Sequence, residues 1–380
     1  MVLTSFIIIL IYLFLIGSFT IGFDRVKDFT LKSRSSKTTF SVIIPFRNEA
    51  EHLSELLASI LKLEYPKHLY DVIFVDDASN DDSVSIIEKT CKTLKSSGSD
   101  TLNIHIIENN RQTNSPKKDA ITTAVKHAKN DWIITTDADC VLPKFWLDSF
   151  DEYIQENNAT CIVAPVTYYN VNTSFKRFQL LDILSLQGAT IGGFGINKPI
   201  MCNGANFAYE KALFNALKGF DGNSNIASGD DIFFLEKVSR NHPKQLHYLK
   251  SEHAIVTTTT ETSWRHVIEQ RVRWASKASH YKNWFSKFTG LVVLLTNTLI
   301  ITLILLTLLG EFHPKSLVYV LVIKFSIDFL LLFKTASFFN QKEALLSYPW
   351  VFILYPFFSV YIAFLSLFKT YKWKDRTFRK

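Results

Sequence analysis

The sequence contains little cysteine and lacks several motifs that define common protein classes. Its 380 residues include only four cysteines, with no CxxC spacing and no paired pattern: Cys91, Cys140, Cys161 and Cys202. This usage predicts reduced thiols in a reducing compartment. No GxGxxG follows the first predicted strand, which argues against a Rossmann-type dinucleotide site. The chain also has no internal repeat and no low-complexity segment, so neither a repeat architecture nor a compositional linker is predicted.

Charged residues are scarce as well, and the apolar residues are concentrated in a few long runs. Only 20% of the residues are charged, whereas 47% are hydrophobic and 32 are Phe. Four runs are long and apolar enough to be membrane segments, at residues 3–23, 288–310, 317–333 and 344–368. Residues 30–287 have the composition of an ordinary soluble domain. The pattern predicts a multi-pass membrane protein with one large extramembrane domain after its first helix.

The residues around the first apolar run indicate how the chain is oriented. No basic residue precedes the run and no small-x-small cleavage site follows it, but Arg25, Lys27 and Lys32 come directly after it. This asymmetry favours an uncleaved anchor in the cell membrane over a signal peptide, with the next domain in the cytoplasm. The net charge of +7 lies largely beside the membrane segments and in the tail, where it suits anionic lipids rather than nucleic acid. The predicted organisation is an anchor at 1–24, a domain at 38–260, an interfacial amphipathic helix at 261–287, membrane segments at 288–370 and a basic tail at 371–380.

The sequence leaves the number of membrane crossings open. With a cytoplasmic domain and three later spans, the basic tail would end outside, against the positive-inside tendency. Residues 344–368 contain Pro349 and Pro356, so this run could instead be re-entrant or a bent hairpin. In the preceding run Lys324 and Asp328 are four residues apart, so they could neutralise each other within a helix bundle.

Between the first two apolar runs, short apolar strands alternate with amphipathic helices roughly every 25–30 residues. Strands are predicted at 40–45, 70–75, 102–107, 132–136 and 160–169. Helices are predicted at 49–63, 81–94, 116–128, 143–155, 210–217, 228–238 and 261–285. Residues 188–195 (GATIGGFG) are predicted to form a flexible loop. The alternation predicts βαβ units with a mostly parallel sheet, and therefore the α/β class.

Paired acids follow several of these strands or open the helices after them. Asp137 and Asp139 come directly after a buried strand, and side chains at i and i+2 of an extended chain point the same way. Ligands of open α/β sheets bind outside the carboxyl ends of the strands, where two carboxylates could hold a hard divalent cation. Two more acidic pairs are Asp76/Asp77 and Asp230/Asp231. Each pair alone is more typical of a turn or a helix cap than of a ligand site, but three pairs at one sheet edge favour a ligand site.

Taken together and in order, six segments resemble one enzyme family. They are PFRNE, VDDASND, TTDADC, GANFAYEKALFNALKGFDG, GDDIFF and QRVRW, and they lie within residues 40–287. This set resembles the family 2 glycosyltransferases of the GT-A fold. It is most similar to the membrane-bound branch that contains cellulose, hyaluronan and poly-N-acetylglucosamine synthases and several glycolipid-forming enzymes. The resemblance implies a GT-A domain, and the four apolar runs add to it one N-terminal and about three C-terminal transmembrane helices.

The resemblance also implies roles for individual residues. Those that would bind the nucleotide-sugar are Pro45, Arg47, Glu49, Asp76, Asp77, Lys117 and Asp137, with Lys118 as the rival of Lys117. Asp139 would bind Mg²⁺ or Mn²⁺, and Asp137 would be either a second ligand or a ribose contact. Asp231, with Asp230 beside it, would be the catalytic base. The acceptor and the diphosphate would be contacted by Asn203, Gly204, Gln270, Arg273 and Trp274, with Ala205 and Asn206 in the same loop as the first two.

Other interpretations exist for parts of this set. The two lysines could be a solvated helix start, and the QxxRW segment could be an interfacial helix with a snorkelling Arg and an anchoring Trp. As a whole, the sequence predicts an inverting, metal-dependent transferase that moves a sugar from a cytoplasmic UDP-sugar to a lipid or growing surface glycan at the membrane. A processive polysaccharide synthase and a non-catalytic membrane scaffold are the alternatives. A nucleotidyltransferase has no support from the QxxRW end.

Overall fold

The computed structural model describes residues 2–96, 102–224, 226, 228–368, 371–373 and 376–378. The chain forms two compact units, and each of them is built from separate chain segments. An α/β unit comprises Lys27–Tyr169 and Cys202–Thr259, and a helical unit comprises Met1–Val26, Asn170–Met201 and Thr260–Lys380. Residues 170–201, which were predicted to be part of the 38–260 domain, therefore belong to the helical unit. Residues 369–370, 374–375 and 379–380 of the predicted tail region lie outside the described residues.

The α/β unit is built around a seven-stranded sheet. In chain order its strands and those of a smaller second sheet are β1 Phe40–Phe46, β2 Tyr70–Asp76, β3 Asn103–Glu108, β4 Trp132–Thr135, β5 Cys140–Val141, β6 Cys161–Val163, β7 Val166–Tyr168, β8 Phe207–Glu210, β9 Leu246–Tyr248 and β10 Val256–Thr258. The large sheet has the order β3-β2-β1-β4-β8-β6-β9, with β8 antiparallel to both of its neighbours and all other pairs parallel. The predicted α/β class with a mostly parallel sheet is confirmed.

Helices alternate with the strands of this unit. They are α2 Ala50–Leu61, α3 Ser83–Ser96, α4 Pro116–His127, α5 Trp146–Glu156, α7 Lys211–Ala216 and α8 Asp230–Asn241. Strands such as β1 (FSVIIPF) are apolar along their length because helices cover both faces of a parallel sheet, and every β1 residue except Pro45 is buried. Helix α4 begins at Pro116, because a Pro at the first helical position gives up an N–H that would have no partner anyway. Phe40, Phe74, Trp146 and Phe150 are among the largest fully buried side chains of its core.

Two predicted elements of this unit differ from the structure. The predicted strand at 160–169 is divided into β6, which joins the large sheet, and β7, which joins the second sheet of order β5-β10-β7. The division falls at Pro165, which has no N–H for a ladder and whose carbonyl accepts a bond from Val256. The predicted helix at 143–155 begins three residues later, because Pro143 takes part in a turn whose carbonyl accepts from the N–H of Trp146.

The helical unit contains α1 Val2–Arg25, α6 Ser174–Gly195, α9 Trp264–Ser276, α10 Trp284–Leu308, α11 Pro314–Phe338 and α12 Tyr348–Phe368. Among the described residues, four helices are long and apolar enough to cross a membrane: α1, α10, α11 and α12 with the turn before it. One N-terminal and three C-terminal candidate spans are therefore confirmed. Helix α12 runs without interruption past Pro356, so the bent hairpin is wrong. Two short antiparallel strands, β11 Tyr371–Trp373 and β12 Arg376–Phe378, follow it.

The prediction of a flexible loop at residues 188–195 is wrong, because these residues form the end of α6. Their glycines lie where α6 meets α1. A Cβ at Gly192 would overlap the carbonyl oxygen of Phe19, and a Cβ at Gly195 would overlap that of Gly22. Glycine is thus required here for the close approach of two helix backbones, as at other small-residue helix crossings.

Two further features of the helical unit concern the predicted membrane segments. The single helix predicted at 261–285 is broken between His280 and Trp284, where the side chain of Asn283 accepts bonds from the first N–H groups of α10. Within α11, Lys324 Nζ lies 2.6 Å from Asp328 Oδ2, so the predicted neutralising pair is confirmed. The hydroxyl of Tyr12 on α1 donates to the other oxygen of Asp328 at 2.7 Å.

Candidate active site

The two acids after β4 differ in their partners. Asp137 accepts a hydrogen bond from Lys117 Nζ at 2.7 Å. Asp139 has no cationic side chain within ion-pair distance in the part of the chain that the structure describes, and its carboxylate accepts only from the Cys140 thiol at 3.7 Å. Burial and the neighbouring Asp139 and Asp137 carboxylates raise the pKa of that thiol, so it remains protonated and able to donate. Of these two acids, Asp139 is therefore the one whose negative charge is available to bind an external cation.

Lys117 connects this strand end with the acids that open α8. Its ammonium lies 2.7 Å from Asp137 and 3.4 Å from Asp230 Oδ2. Burial disfavours the charged form, but the carboxylates of Asp137 and Asp230 outweigh it and hold the pKa of Lys117 above its usual range. A permanent positive charge thus lies between two of the three predicted acidic pairs.

Lys118, the rival of Lys117, has different partners. Its side chain is only 2% exposed, and its ammonium donates to the carbonyls of Asn223 and Ile226 at 2.7 Å each. It also lies 4.8 Å from the centre of the Phe233 ring. These contacts tie α4 to the loop before α8, so the structure separates the two neighbouring lysines into one at the acids and one at this loop.

The acids of α8 contact the loop before β8. Asp231 accepts bonds from the N–H of Gly204 at 3.2 Å and from that of Ile232 at 2.7 Å. A Cβ at Gly204 would lie 2.9 Å from Asp230 Oδ2 and 3.4 Å from Lys117 Nζ, so a side chain here would push against the charged cluster. The predicted acceptor residue Gly204 is therefore part of the same cluster as Asp230, Asp231 and Lys117.

The other residues of this loop support its shape. The side chain of Asn203 accepts a bond from the N–H of Ala205 and thereby caps a short turn. Asn206 is fully buried. Its side-chain oxygen accepts a hydrogen bond from the Trp146 indole, and its side-chain nitrogen donates to the carbonyls of Pro165 and Ala254, at distances of 2.7–2.9 Å. Asn206 is thus a structural link between the two sheets, a role that the sequence interpretation missed.

The third acidic pair follows β2 and has its own cationic partners. Asp77 is buried and forms an ion pair with Arg111, and it also accepts a bond from the Asn109 amide at 2.7 Å. Arg47 donates to the carbonyls of Asp77 and Ala78. Sequence reasoning missed Asn109 and Arg111, although both follow β3, the parallel neighbour of β2, and their position at the same sheet edge was a usable signal.

The remaining donor-side residues lie around this strand end. Asp76 accepts a bond from the N–H of Ser79, which forms a turn. The backbone N–H of Glu49 donates to the Ser83 hydroxyl and connects the starts of two helices. Pro45 is in β1, paired with Val75 of β2. All three lie at or just after the carboxyl ends of neighbouring parallel strands.

The QxxRW residues are on α9, in the helical unit. Gln270 donates to the carboxylate of Glu261 at 2.7 Å. Arg271, between the motif residues, is buried and forms an ion pair with Asp182 of α6, and its guanidinium lies 4.1 Å from the centre of the Trp274 ring. Arg273 is partly exposed on the same helix. The inter-helix role of Arg271 was not predicted.

Metal coordination by the protein alone is limited. The described residues contain no group of three or more His, Cys, Asp or Glu side chains that could hold a metal ion. Asp137 and Asp139 supply carboxylate oxygens, the donors that Mg²⁺ and Mn²⁺ prefer. A metal held by these two acids would need further oxygens from a ligand such as a diphosphate.

Comparison with known proteins defines the family. The model of Glycosyl transferase family group 2 matches residues 132–367, more than half of the chain, and that of Glycosyl transferase family 2 matches residues 41–217. The chain therefore belongs to the family 2 glycosyltransferases, and its enzymatic class is that of a sugar transferase.

Individual relatives match parts of the chain. It is 28% identical over 131 residues to the poly(ribitol-phosphate) beta-N-acetylglucosaminyltransferase TarS of Staphylococcus aureus, a match that covers 34% of this chain and 21% of TarS. It is 35% identical over 105 residues to an undecaprenyl-phosphate 4-deoxy-4-formamido-L-arabinose transferase of Shewanella sediminis, covering 27% of this chain and 29% of that protein. These matches thus span less than a third of either relative.

One solved structure is similar over nearly the whole length. The mannosyltransferase PcManGT of Pyrobaculum calidifontis, in complex with GDP-Man and Mn2+, has a TM-score of 0.53 at 16% identity, and the match covers 96% of each chain. This likeness confirms the predicted GT-A fold.

Proposed function

We propose that the chain is an inverting, metal-dependent glycosyltransferase that moves a sugar from a nucleotide-sugar, a UDP-sugar, to an acceptor at the membrane. The observation that carries the proposal is the position of Lys117 between Asp137 and Asp230. A nucleoside diphosphate leaving group needs positive charge at its phosphates, and an attacking hydroxyl needs a carboxylate that accepts its proton. The cluster offers both kinds of group within a few ångströms.

On the donor side, we assign the nucleotide to the ends of β1 and β2. The residues involved would be Pro45, Arg47, Glu49, Asp76 and Asp77, with Asp77 accepting hydrogen bonds from the base. Lys117 and Asp137 would then face the diphosphate and the ribose. The contacts of Asp77 with Arg111 and Asn109 support this role. Because they fix the carboxylate in one orientation, it can accept hydrogen bonds from the base with little loss of side-chain freedom on binding.

A divalent cation fits the acids after β4. Asp139 carries a carboxylate with no ionic partner among the described residues, whereas Lys117 already neutralises Asp137. We therefore propose Asp139 as the main ligand of Mg²⁺ or Mn²⁺, with Asp137 as a second ligand. When bound, the metal would stabilise the charge that develops on the leaving diphosphate. Because the protein offers few ligands, the cation is expected to bind well only with the nucleotide.

Asp231 is the proposed general base. As the acceptor oxygen forms its bond to the anomeric carbon, the hydroxyl proton passes to the Asp231 carboxylate and the nucleoside diphosphate departs with the electron pair of the broken bond. Attack from the face opposite the leaving group inverts the anomeric centre. The bonds from Gly204 and Ile232 hold the carboxylate in one orientation before the acceptor arrives.

For the acceptor, we favour a lipid or a growing surface glycan. The four long apolar helices found among the described residues suit a membrane enzyme, and the names of the two relatives given above state that they act on a poly(ribitol-phosphate) and on undecaprenyl phosphate. We propose a cell-membrane location with the α/β unit in the cytoplasm, where nucleotide-sugars are available. Gln270, Arg273 and Trp274 would contact the diphosphate and the acceptor end.

The first test is metal-dependent hydrolysis and transfer by purified protein. With UDP-sugar and Mn²⁺, Asp139→Ala is expected to abolish both reactions, and Asp231→Asn is expected to lower transfer by roughly 10²- to 10⁴-fold. Asp221→Asn is the matched control, because Asp221 is an exposed acid of the same region. Full transfer activity of Asp231→Asn would show that the base is another group. A wild-type protein that is inactive with every nucleotide-sugar would support the scaffold alternative.

The second test identifies the product. Membranes are incubated with a panel of radiolabelled nucleotide-sugars and extracted with organic solvent. Label in the organic phase supports the lipid acceptor. An aqueous or insoluble polymer would instead show processive synthesis, the alternative that the QxxRW segment also allows.

A further inference from the structure

Helix α6 carries two buried polar residues that face the QxxRW helix. Gln179 and Asp182 are 0% and 4% exposed, although both lie in the helical unit between long apolar helices. They are three residues apart, so they share one face of α6. A buried polar group without a hydrogen-bond partner destabilises the fold, so the partners of these two side chains indicate their role.

Asp182 contacts α9 and α12 at the same time. One carboxylate oxygen accepts from Arg271 Nε, and the other accepts from the Tyr355 hydroxyl at 3.0 Å. The same Arg271 lies with its guanidinium 4.1 Å from the centre of the Trp274 ring and donates to the Gln270 side-chain oxygen. A single carboxylate therefore fixes an arginine that in turn orients two QxxRW side chains.

Gln179 acts on the same motif by a second route. Its side-chain amide forms hydrogen bonds with both backbone groups of Glu261: it donates to the carbonyl at 3.0 Å and accepts from the N–H at 2.9 Å. The carboxylate of Glu261 then accepts from the Gln270 amide nitrogen at 2.7 Å. The Gln270 amide is thus held at its oxygen by Arg271 and at its nitrogen by Glu261.

We propose that Gln179 and Asp182 are positioning residues for the QxxRW side chains. The proposal rests on the function assigned above to that motif. A buried ion pair such as Asp182–Arg271 adds little net stability, because desolvation offsets most of the attraction between its charges. Its value lies in geometry: it gives Gln270 and Trp274 one orientation before substrate binds.

The test compares one isosteric substitution, Asp182→Asn, with a matched control, Asp328→Asn. Asp182→Asn keeps an acceptor for Tyr355 but loses the charge that holds Arg271, and it is expected to lower kcat/KM for transfer by roughly 10- to 100-fold. Asp328→Asn changes a second, half-buried carboxylate of the unit, whose partners among the described residues are Lys324 and Tyr12 rather than residues of α9, and it is expected to keep kcat/KM near the wild-type value. Equal losses for both variants, or no loss for Asp182→Asn, would overturn the proposal.

Two further measurements separate positioning from general stability. Because Asp182 acts partly through Trp274, the loss in kcat/KM of the double variant Asp182→Asn/Trp274→Ala should be smaller than the two single losses combined, and fully additive losses would contradict this coupling. If Asp182→Asn does not fold, Gln179→Glu replaces it. Gln179→Glu loses the donor to the Glu261 carbonyl without changing size, and it should lower kcat/KM to a similar extent.

A readout without turnover keeps this inference distinct from the proposed function. In protein labelled with 5-fluorotryptophan, the Trp274 fluorine resonance is assigned by its loss in Trp274→Phe. It should shift or broaden in Asp182→Asn and stay unchanged in Asp328→Asn. An unchanged resonance in Asp182→Asn overturns the positioning role. Inactivity of a wild-type protein with the expected spectrum would instead contradict the proposed function.

Discussion

Replacing Lys117 by Met tests how the acidic cluster is held together. The ammonium lies 2.7 Å from Asp137 and 3.4 Å from Asp230, and its side chain is 18% exposed. At an effective dielectric constant of ~20 these distances correspond to gross attractions of about 6 and 5 kcal/mol, most of which desolvation offsets. Removing Lys117 from this half-buried group takes its compensating charge from both carboxylates, at a net cost of about 3 kcal/mol, the lower end of the range for fully buried pairs. For a unit of this size the expected fall in Tm is about 6–12 °C.

The assay is thermal unfolding of the detergent-solubilised protein, with and without Mn²⁺ and UDP. Lys117→Met should regain much of its Tm when both are added, because the cation replaces the lost positive charge. Lys118→Met should also unfold earlier but without this recovery, because the partners of Lys118 are the carbonyls of Asn223 and Ile226. Lys126→Met, an exposed change on the same helix, should leave Tm unchanged. If Lys117→Met were as stable as wild type without ligands, Lys117 would not be needed to hold Asp137 and Asp230 together.

Three more substitutions test other parts of the structure. Burial raises the pKa of Asp148 from its usual 3.8 to about 6, so its contribution to stability is fully present below about pH 3.8 and is lost as pH rises from there through about 6. Asp148→Asn should therefore raise the free energy of unfolding at pH 8 by roughly 1 kcal/mol after allowance for its partial exposure, by about half as much at pH 5, and not at about pH 3, in denaturant titrations at the three pH values. Gly192→Ala should lower Tm, because overpacking against α1 costs about 1–3 kcal/mol, whereas Gly290→Ala has open space at its Cβ and should be neutral or stabilising. Asn206→Ala should lower the yield of folded protein, since it leaves the Trp146 indole and two carbonyls unpaired at roughly 1–3 kcal/mol each; normal yield and Tm would contradict this account.

The strands of the α/β unit were predictable because their burial is visible locally. Segments such as FSVIIPF and YDVIFVD are apolar and β-branched, and they recur at the spacing of βαβ units. Helix α6 was not predictable in this way. Its GATIGGFG end is rich in glycine, which favours loops in isolation. In the folded chain these glycines let the backbone of α1 pack directly against α6, and a side chain at Gly192 or Gly195 would prevent this contact.

Long-range partners explain the remaining differences between sequence and structure. Lys117 and Lys118 are adjacent and chemically identical, and only the packing of α4 decides which one reaches the acids and which one reaches the loop before α8. Asp182 and Arg271 lie 89 positions apart, so nothing in the local sequence of either shows that they meet. The acidic pairs themselves were predictable, because strand ends of a parallel sheet share one edge.

The order of segments along the chain has a consequence for synthesis. Strand β4 pairs with β1 on one side and with β8 on the other, but the ribosome makes β8 about 70 residues after β4, with all of α6 in between. At about 5–20 residues per second, β4 is an unpaired edge for roughly 4–14 s while α6 is being made. An apolar edge strand of this kind recruits other strands, so nascent chains that end before Phe207 are expected to aggregate or to need a chaperone. Translation pauses near α6 would lengthen this exposure, and the codons of that helix are therefore expected to affect the yield of the folded enzyme.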